Sequence, residues 1–214
     1  MQLVYINRKT YRDKNNQDFI NSLKQQYGDF YLIPEGGSNA LALLGCMETI
    51  DEINDELNHA DNLVNEKTFD VVSCACGTGA SLAGFIRSLK PEQQAIGFSA
   101  LKGGDFLKDK VNTFLLAEHC TYKNWSIESD YHFGGYAKIN ETLLNFVKDF
   151  EAEYAIPLDY VYTAKMFYGL FDLIKNKRFK RGSRIVAIHT GGLQGNAGFK
   201  DKSHHPSSSA SQRS

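Results

Sequence analysis

The sequence predicts an α/β protein built on a largely parallel sheet, and three observations carry that reading. Short apolar runs at Phe69–Ser73 (FDVVS), Ala95–Phe98 (AIGF) and Arg184–Ile188 (RIVAI) alternate with longer stretches of helical spacing. Glycine-bearing segments fall at the ends of such runs, as EGGSN, CGTGAS and HTGG. In parallel sheets, ligands bind at the carboxyl ends of the strands. Finally, 42% hydrophobic and 23% charged residues over 214 positions describe an ordinary globular chain, of one domain or one and a piece of another.

In order along the chain, Leu3–Ile6 (LVYI) reads as a strand, and FINSLKQQY follows with apolar Phe19, Ile20 and Leu23 at helical spacing. The apolar run Phe30–Ile33 is stopped by Pro34 and the turn Glu35-Gly36-Gly37-Ser38-Asn39. From Ala40 to about Val64 apolar residues recur three and four apart, predicting a helix. The strand at 69–73 feeds the small-residue turn CGTGAS, from which the helix LAGFIRSL opens. Helices are further expected over Leu107–Leu116, Ile139–Glu153 and Lys165–Lys175, and a buried-type strand at Arg184–Ile188 runs into HTGG. The Ser-rich stretch after Phe199 has no periodicity and is expected to be a disordered tail over 200–214.

Several function classes are disfavoured at once. A net charge of −1, from 24 basic and 25 acidic residues, supplies no general field for nucleic acid. No apolar run is long enough to span a bilayer, and the first residues lack an apolar signal core, so no membrane association is expected. The four cysteines, Cys46, Cys74, Cys76 and Cys120, fit no common zinc frame and read as reduced, mostly buried thiols of a cytoplasmic protein.

The segment Val71–Ser81 carries the first chemistry. Gly77 and Gly79 allow close backbone approach, Thr78 and Ser81 offer hydroxyls, and the helix that starts at Ala80 presents unpaired N–H groups and a partial positive charge. Such a turn cradles a single phosphate. It lacks the Lys-Ser/Thr of a P-loop, and Leu82 stands where a dinucleotide fingerprint has its third glycine. Taken alone, a tight strand-to-helix connection explains it equally well.

Five segments resemble one family in order and spacing: YLIPEGGSNALALLG, VVSCACGTGASLAGF, FGGYAKINETL, LDYVYTAKMFYGLFDLI and FKRGSRIVAIHTGG. The family is that of 1-aminocyclopropane-1-carboxylate deaminase and D-cysteine desulfhydrase, pyridoxal-phosphate enzymes of fold type II, and the resemblance covers about residues 1–199. It implies a three-layer α/β architecture, with 1–34 as the end of a small domain and a return strand, and 35–199 as the C-terminal part of the large cofactor-binding domain. It implies that Gly77, Thr78, Gly79, Ala80 and Ser81 hold the cofactor phosphate. Tyr136 and Tyr162 match tyrosines that approach the substrate, Thr163 the residue facing the pyridine nitrogen, and Thr190 a pocket-lining position. Ser38 and Asn39 match the turn at the cofactor mouth. The implied substrate is a small amino acid, and a homodimer is the family expectation. On the residues alone, both tyrosines could be half-buried aromatics, and Thr163 could cap the helix that follows it.

Two departures matter. The deaminases typically have Glu where this chain has Thr163, and the desulfhydrase-like members resemble it in having Thr there and at Thr190, which tilts the expectation towards β-elimination. The family's Schiff-base lysine lies in a GNK-type segment upstream of anything in this sequence. Lys14 and Lys24 lie in no such motif, and the family does not use Lys165 of VYTAK in this role. The chain is therefore expected to be inactive by itself, with a non-catalytic phosphate-binding module or an inactive fragment as the alternative reading, and to expose apolar surface that a missing part would cover.

Overall fold

A computed structural model describes residues 3–61, 68–116 and 121–204. The chain divides into two compact units, Met1–Pro34 and Glu35–Ser214. The first contains two helices, α1 (Arg8–Arg12) and α2 (Gln17–Tyr27). Asn16 starts α2, its side-chain oxygen accepting from the Asp18 N–H at 2.8 Å, and Gly28 ends it.

Leu3–Ile6 does not form the expected strand. It is extended without ladder bonds, and its side chains are 44–89% exposed. A strand is made by a partner, and β-propensity alone supplies none. Phe30–Ile33 likewise forms no ladder, so no return strand is present there. α1 has no forewarning in the sequence, because its residues RKTYR carry no apolar periodicity.

The second unit contains the sheet: β1 (Val71–Cys76), β2 (Gln94–Ser99), β3 (Trp125–Glu128) and β4 (Ile185–Ile188), in the order β3-β2-β1-β4 with all pairs parallel. Central β1 faces Val71↔Gln94 on one side and Val71↔Ile185 on the other. Its side chains alternate between two cores, as the two-residue period requires. Val72, Cys74 and Cys76 pack with Leu43 and Ile50 of α3 (Ala40–Asp61), Leu82 and Ile86 of α4 (Ala80–Ser88), and Leu107 and Val111 of α5 (Phe106–Leu116). On the other face Val71, Ile96 and Phe98 meet Met166 and Leu170 of α7 (Thr163–Lys175). Behind α7 lies α6 (Glu141–Tyr154), through Leu143, Val147 and Phe150. The result is helices, parallel sheet, helices, as expected.

Apart from these differences, helix and strand positions follow the sequence reading within a few residues, with two further exceptions. β3 lacks a sequence signal: it is short, polar at Ser126 and Glu128, and lies at the sheet edge, where only Ile127 is buried. The last element is a 3₁₀ segment, Leu193–His204, which runs into the stretch read as tail. Positions 205–214, the end of the helix expected at Val64, and Cys120 lie outside the described residues. Among the described residues no helix is long and apolar enough to cross a membrane.

Candidate active site

β1 delivers the chain at its carboxyl end into Gly77–Gly79, and α4 begins at once. Gly79 is the N-cap of α4 with φ +90°, and a Cβ there would lie 2.9 Å from Val111 Cγ2. Both the left-handed backbone and the contact exclude a larger residue. Ala80 and half-buried Ser81 then open the first turn, whose N–H groups have no intrahelical acceptor.

The turn Glu35–Ser38 belongs to the same site, although 40 residues separate Ser38 from Thr78 of the loop. Ser38 Oγ donates to Thr78 Oγ1 at 2.6 Å. Gly36, at φ +65°, passes so close that a Cβ would meet Thr78 Cγ2 at 2.8 Å. Asn39 acts on the following helix instead. Its side-chain oxygen accepts from the Ala42 N–H at 2.9 Å and so starts α3.

Tyr162 reaches the loop from the other face of the sheet. A Cβ on Gly77 would lie 3.4 Å from the Tyr162 ring and 3.5 Å from its hydroxyl oxygen. The Tyr136 ring stands against Tyr162 at 5.9 Å between centroids, edge to face. Burial pushes the Tyr162 phenol up to about 12, helped by its neighbour and hydrogen-bond partner Tyr136. It therefore keeps its proton at neutral pH.

What fixes Tyr162 is Asp159, which sequence reasoning does not single out. The carboxylate is 3% exposed and takes four donors: Val161 N at 3.0 Å and Tyr162 N at 2.8 Å on Oδ1, Thr163 N at 2.8 Å and Thr163 Oγ1 at 2.7 Å on Oδ2. This is an N-terminal capping arrangement, with a side chain accepting N–H groups that helix geometry leaves unpaired. Asp159, not Thr163, therefore carries the capping role. Thr163 is fully buried; it gives its proton to Asp159 Oδ2 and accepts from Asp159 N at 2.9 Å. An Asp shortly before a helix start was the available signal in LDYVYT.

HTGG supports this same corner. A Cβ on Gly192 would lie 3.3 Å from Asp159 Cγ. His189 donates through Nε2 to the Pro157 carbonyl at 2.9 Å and accepts from Gly191 N at Nδ1 at 3.0 Å. Asn196, also without a sequence signal, accepts from Tyr160 N at 3.0 Å and donates to the Leu158 carbonyl at 2.9 Å. Thr190 lies just past β4, at the same sheet end as Gly77, with its side chain exposed. Lys165 is 1% exposed and donates from Nζ to the Gly135 carbonyl at 2.7 Å.

The thiols of β1 take no part. Burial pushes Cys76 up to about 12 and Cys74 well above the ordinary thiol range, so both are inert.

The residues present fit a phosphorylated cofactor. A glycine turn that admits no Cβ at 79, a helix start and the hydroxyls of Thr78 and Ser81 suit one phosphate. Tyr162 beside the loop places a protonated phenol next to whatever the phosphate anchors.

Comparison with known proteins agrees. The family described as pyridoxal-phosphate dependent enzyme matches residues 3–191. A Pyrococcus furiosus protein provisionally named 1-aminocyclopropane-1-carboxylate deaminase is 33% identical over 197 residues, 88% of this chain and 58% of its own length. The bifunctional D-cysteine desulfhydrase/1-aminocyclopropane-1-carboxylate deaminase, mitochondrial, of Arabidopsis thaliana is 31% identical over 202 residues, 89% of this chain and 49% of its own. A solved structure of an ACC deaminase homologue superposes with a TM-score of 0.74 at 27% identity, covering 94% of this chain and 61% of that one. The chain thus spans about half to three-fifths of the length of these relatives. With the glycine cradle at the carboxyl end of β1 and a match across nearly all of the described residues, the chain belongs to the pyridoxal-phosphate dependent enzymes, on the fold type II architecture that its motifs implied.

Proposed function

We propose that this chain is the C-terminal part of a lyase that converts D-cysteine or 1-aminocyclopropane-1-carboxylate to a 2-oxo acid and ammonia, with sulfide released from D-cysteine. The observation that carries the reading is the seating of the Tyr162 phenol on Gly77 of the phosphate loop, with Tyr136 against it. Pyridoxal phosphate, when bound, supplies an electron sink for a bond breaking at the substrate Cα. The chain's own residues do the rest. The loop Gly77–Ser81 and the first turn of α4 hold the phosphate. Tyr162, protonated at neutral pH, donates to the substrate or passes it a proton, and Tyr136 orients that hydroxyl. The family resemblance assigns the lysine that would carry the cofactor to a GNK-type segment, and none of the 214 residues forms one.

Thr163 favours D-cysteine. Its hydroxyl is neutral, donating to Asp159 Oδ2 and accepting from Asp159 N, so beside a bound cofactor it would supply no negative charge to hold a proton on the ring, a weaker support for ring opening than a carboxylate. A glutamate at 163 would stand beside the Asp159 carboxylate and raise its own pKa, which explains why this site accommodates Thr.

The test compares the 214-residue chain with a longer one in which a GNK-type segment precedes it, each with pyridoxal phosphate and either substrate. Release of 2-oxo acid is expected from the longer chain only. Turnover by the 214-residue chain that survives Lys165→Ala would contradict the assignment of the lysine. The alternative reading is a non-catalytic phosphate-ligand module. A longer chain that binds the cofactor without turnover would support it.

A further inference from the structure

We propose that Lys165 is a positioning residue: its buried ammonium, donating to the Gly135 carbonyl, holds the turn 133–137 so that the Tyr136 ring stays seated on Tyr162. The inference rests on the functional reading above only for its catalytic consequence; the geometry stands without it.

The first observation is the position itself. Lys165 lies in the first turn of α7 between Ala164 and Met166, each 0% exposed, and is itself 1% exposed. Leucine or methionine would fill such a place without desolvating a charge, and lysine is almost never fully buried unless paired. Burial pushes its ammonium down to about 8, against the pull of Asp159, the charged group that faces it. An unfavourable residue in a well-packed helix turn implies a role that an apolar one could not perform.

The second observation is the strain in what it holds. Phe133 and Ala137 have φ +52°, and between them Gly134 and Gly135 have φ +97° and +118°. Non-glycine residues in the left-handed region persist only where their surroundings over-determine them. Two attachments to α7 do so. The Phe133 ring stands edge to face on Tyr168 at 4.8 Å, and Lys165 Nζ reaches the Gly135 carbonyl at 2.7 Å. That carbonyl also accepts from Lys138 N at 3.1 Å, which closes the turn. Tyr136 is the next residue after Gly135, and Tyr162 lies three residues before Lys165. One helix start thus sets the place of both tyrosines, Tyr162 by connectivity and Tyr136 through the lysine.

The test is nuclear magnetic resonance of the 214-residue chain with ring-labelled tyrosine and phenylalanine. The native chain should show a cross-peak between the Tyr136 and Tyr162 rings and another between Phe133 and Tyr168. In Lys165→Met the first should be lost and the second kept, with a melting temperature no lower than the native one, because the variant removes a buried charge. Should Lys165→Met not fold, Lys165→Gln, whose amide stops short of the carbonyl, should show the same selective loss. A Tyr136–Tyr162 cross-peak that survives in either folded variant, or that is missing from the native chain, overturns the proposal. Binding of pyridoxamine phosphate by the native chain, read separately, tests the functional reading: its absence would refute the cradle and leave the positioning result untouched.

Discussion

Tyr162 and Tyr136 meet ring against ring, yet they are held in opposite ways. Tyr162 sits at a helix start whose N–H groups converge on Asp159, so local backbone geometry fixes it. Tyr136 sits in a turn of left-handed residues that α7 pins from a distance, through Phe133 on Tyr168 and Lys165 on Gly135. The difference teaches where each support is vulnerable. The helix start fails if one carboxylate is lost, whereas the turn can fail while the helix stays intact.

The largest effect should come from breaking the first support. Asp159→Ala leaves three backbone N–H groups and the Thr163 hydroxyl without their acceptor in a buried place. A lost cap costs about 0.5–2 kcal/mol, and each unsatisfied buried donor about 1–3 kcal/mol. A total of about 3 kcal/mol is a reasonable lower value, which in a chain of this size lowers Tm by about 6–12 °C. Thr163→Val removes one of the four donors and should cost about 1–2 kcal/mol. Thermal unfolding of the two variants should keep that order, and equal stability of Asp159→Ala and the native chain would remove the carboxylate from its place at the centre of this corner.

The dependence of stability on pH sharpens the comparison. Burial lowers Lys165 to about 8 from its ordinary 10.5, so between these values the unfolded chain binds the extra proton and this group makes stability rise with pH. Tyr162 is raised to about 12 from its ordinary 10.0, so between these values the folded chain binds the extra proton and stability falls as pH rises. The two supports therefore contribute slopes of opposite sign. Because the buried thiols of Cys74 and Cys76, raised in both chains, make stability fall above the ordinary thiol range, the lysine is read by difference: in urea unfolding from about pH 7 to about pH 10, the stability of the native chain relative to Lys165→Met should rise with pH. A slope identical in the native chain and the variant would mean that the lysine is not desolvated in the folded state.

These contrasts also show what the sequence could and could not reveal. The central strands were legible because both faces of β1 are buried, which demands a continuous apolar run. The phosphate loop was legible because its glycines meet a backbone requirement, as φ +90° at Gly79 shows. LVYI looks like a strand because propensity is local, and it is none because pairing is not. Asp159 and Lys165 escape notice for a related reason. A carboxylate in LDYVYT and a lysine in VYTAK read as solvated charges until the fold closes around them, and only the long-range contact with Gly135 reveals the second. Asn196 is the same case, a polar residue whose role depends on a segment 36 positions away.

The central claim is that CGTGAS is a phosphate cradle and not merely a tight connection, and Ser81→Asp tests it most directly. Ser81 is the second residue of α4, where an acidic side chain favours the helix by about 0.3–1 kcal/mol. The variant should therefore fold at least as well as the native chain, while its charge opposes a phosphate at the same N–H groups. Titration with pyridoxamine phosphate, followed by ³¹P resonance or by the fluorescence of Trp125, should show affinity lower by about tenfold or more, equivalent to about 1.4 kcal/mol. Native-like affinity in a folded Ser81→Asp chain would contradict the account and leave the glycine loop as a structural turn.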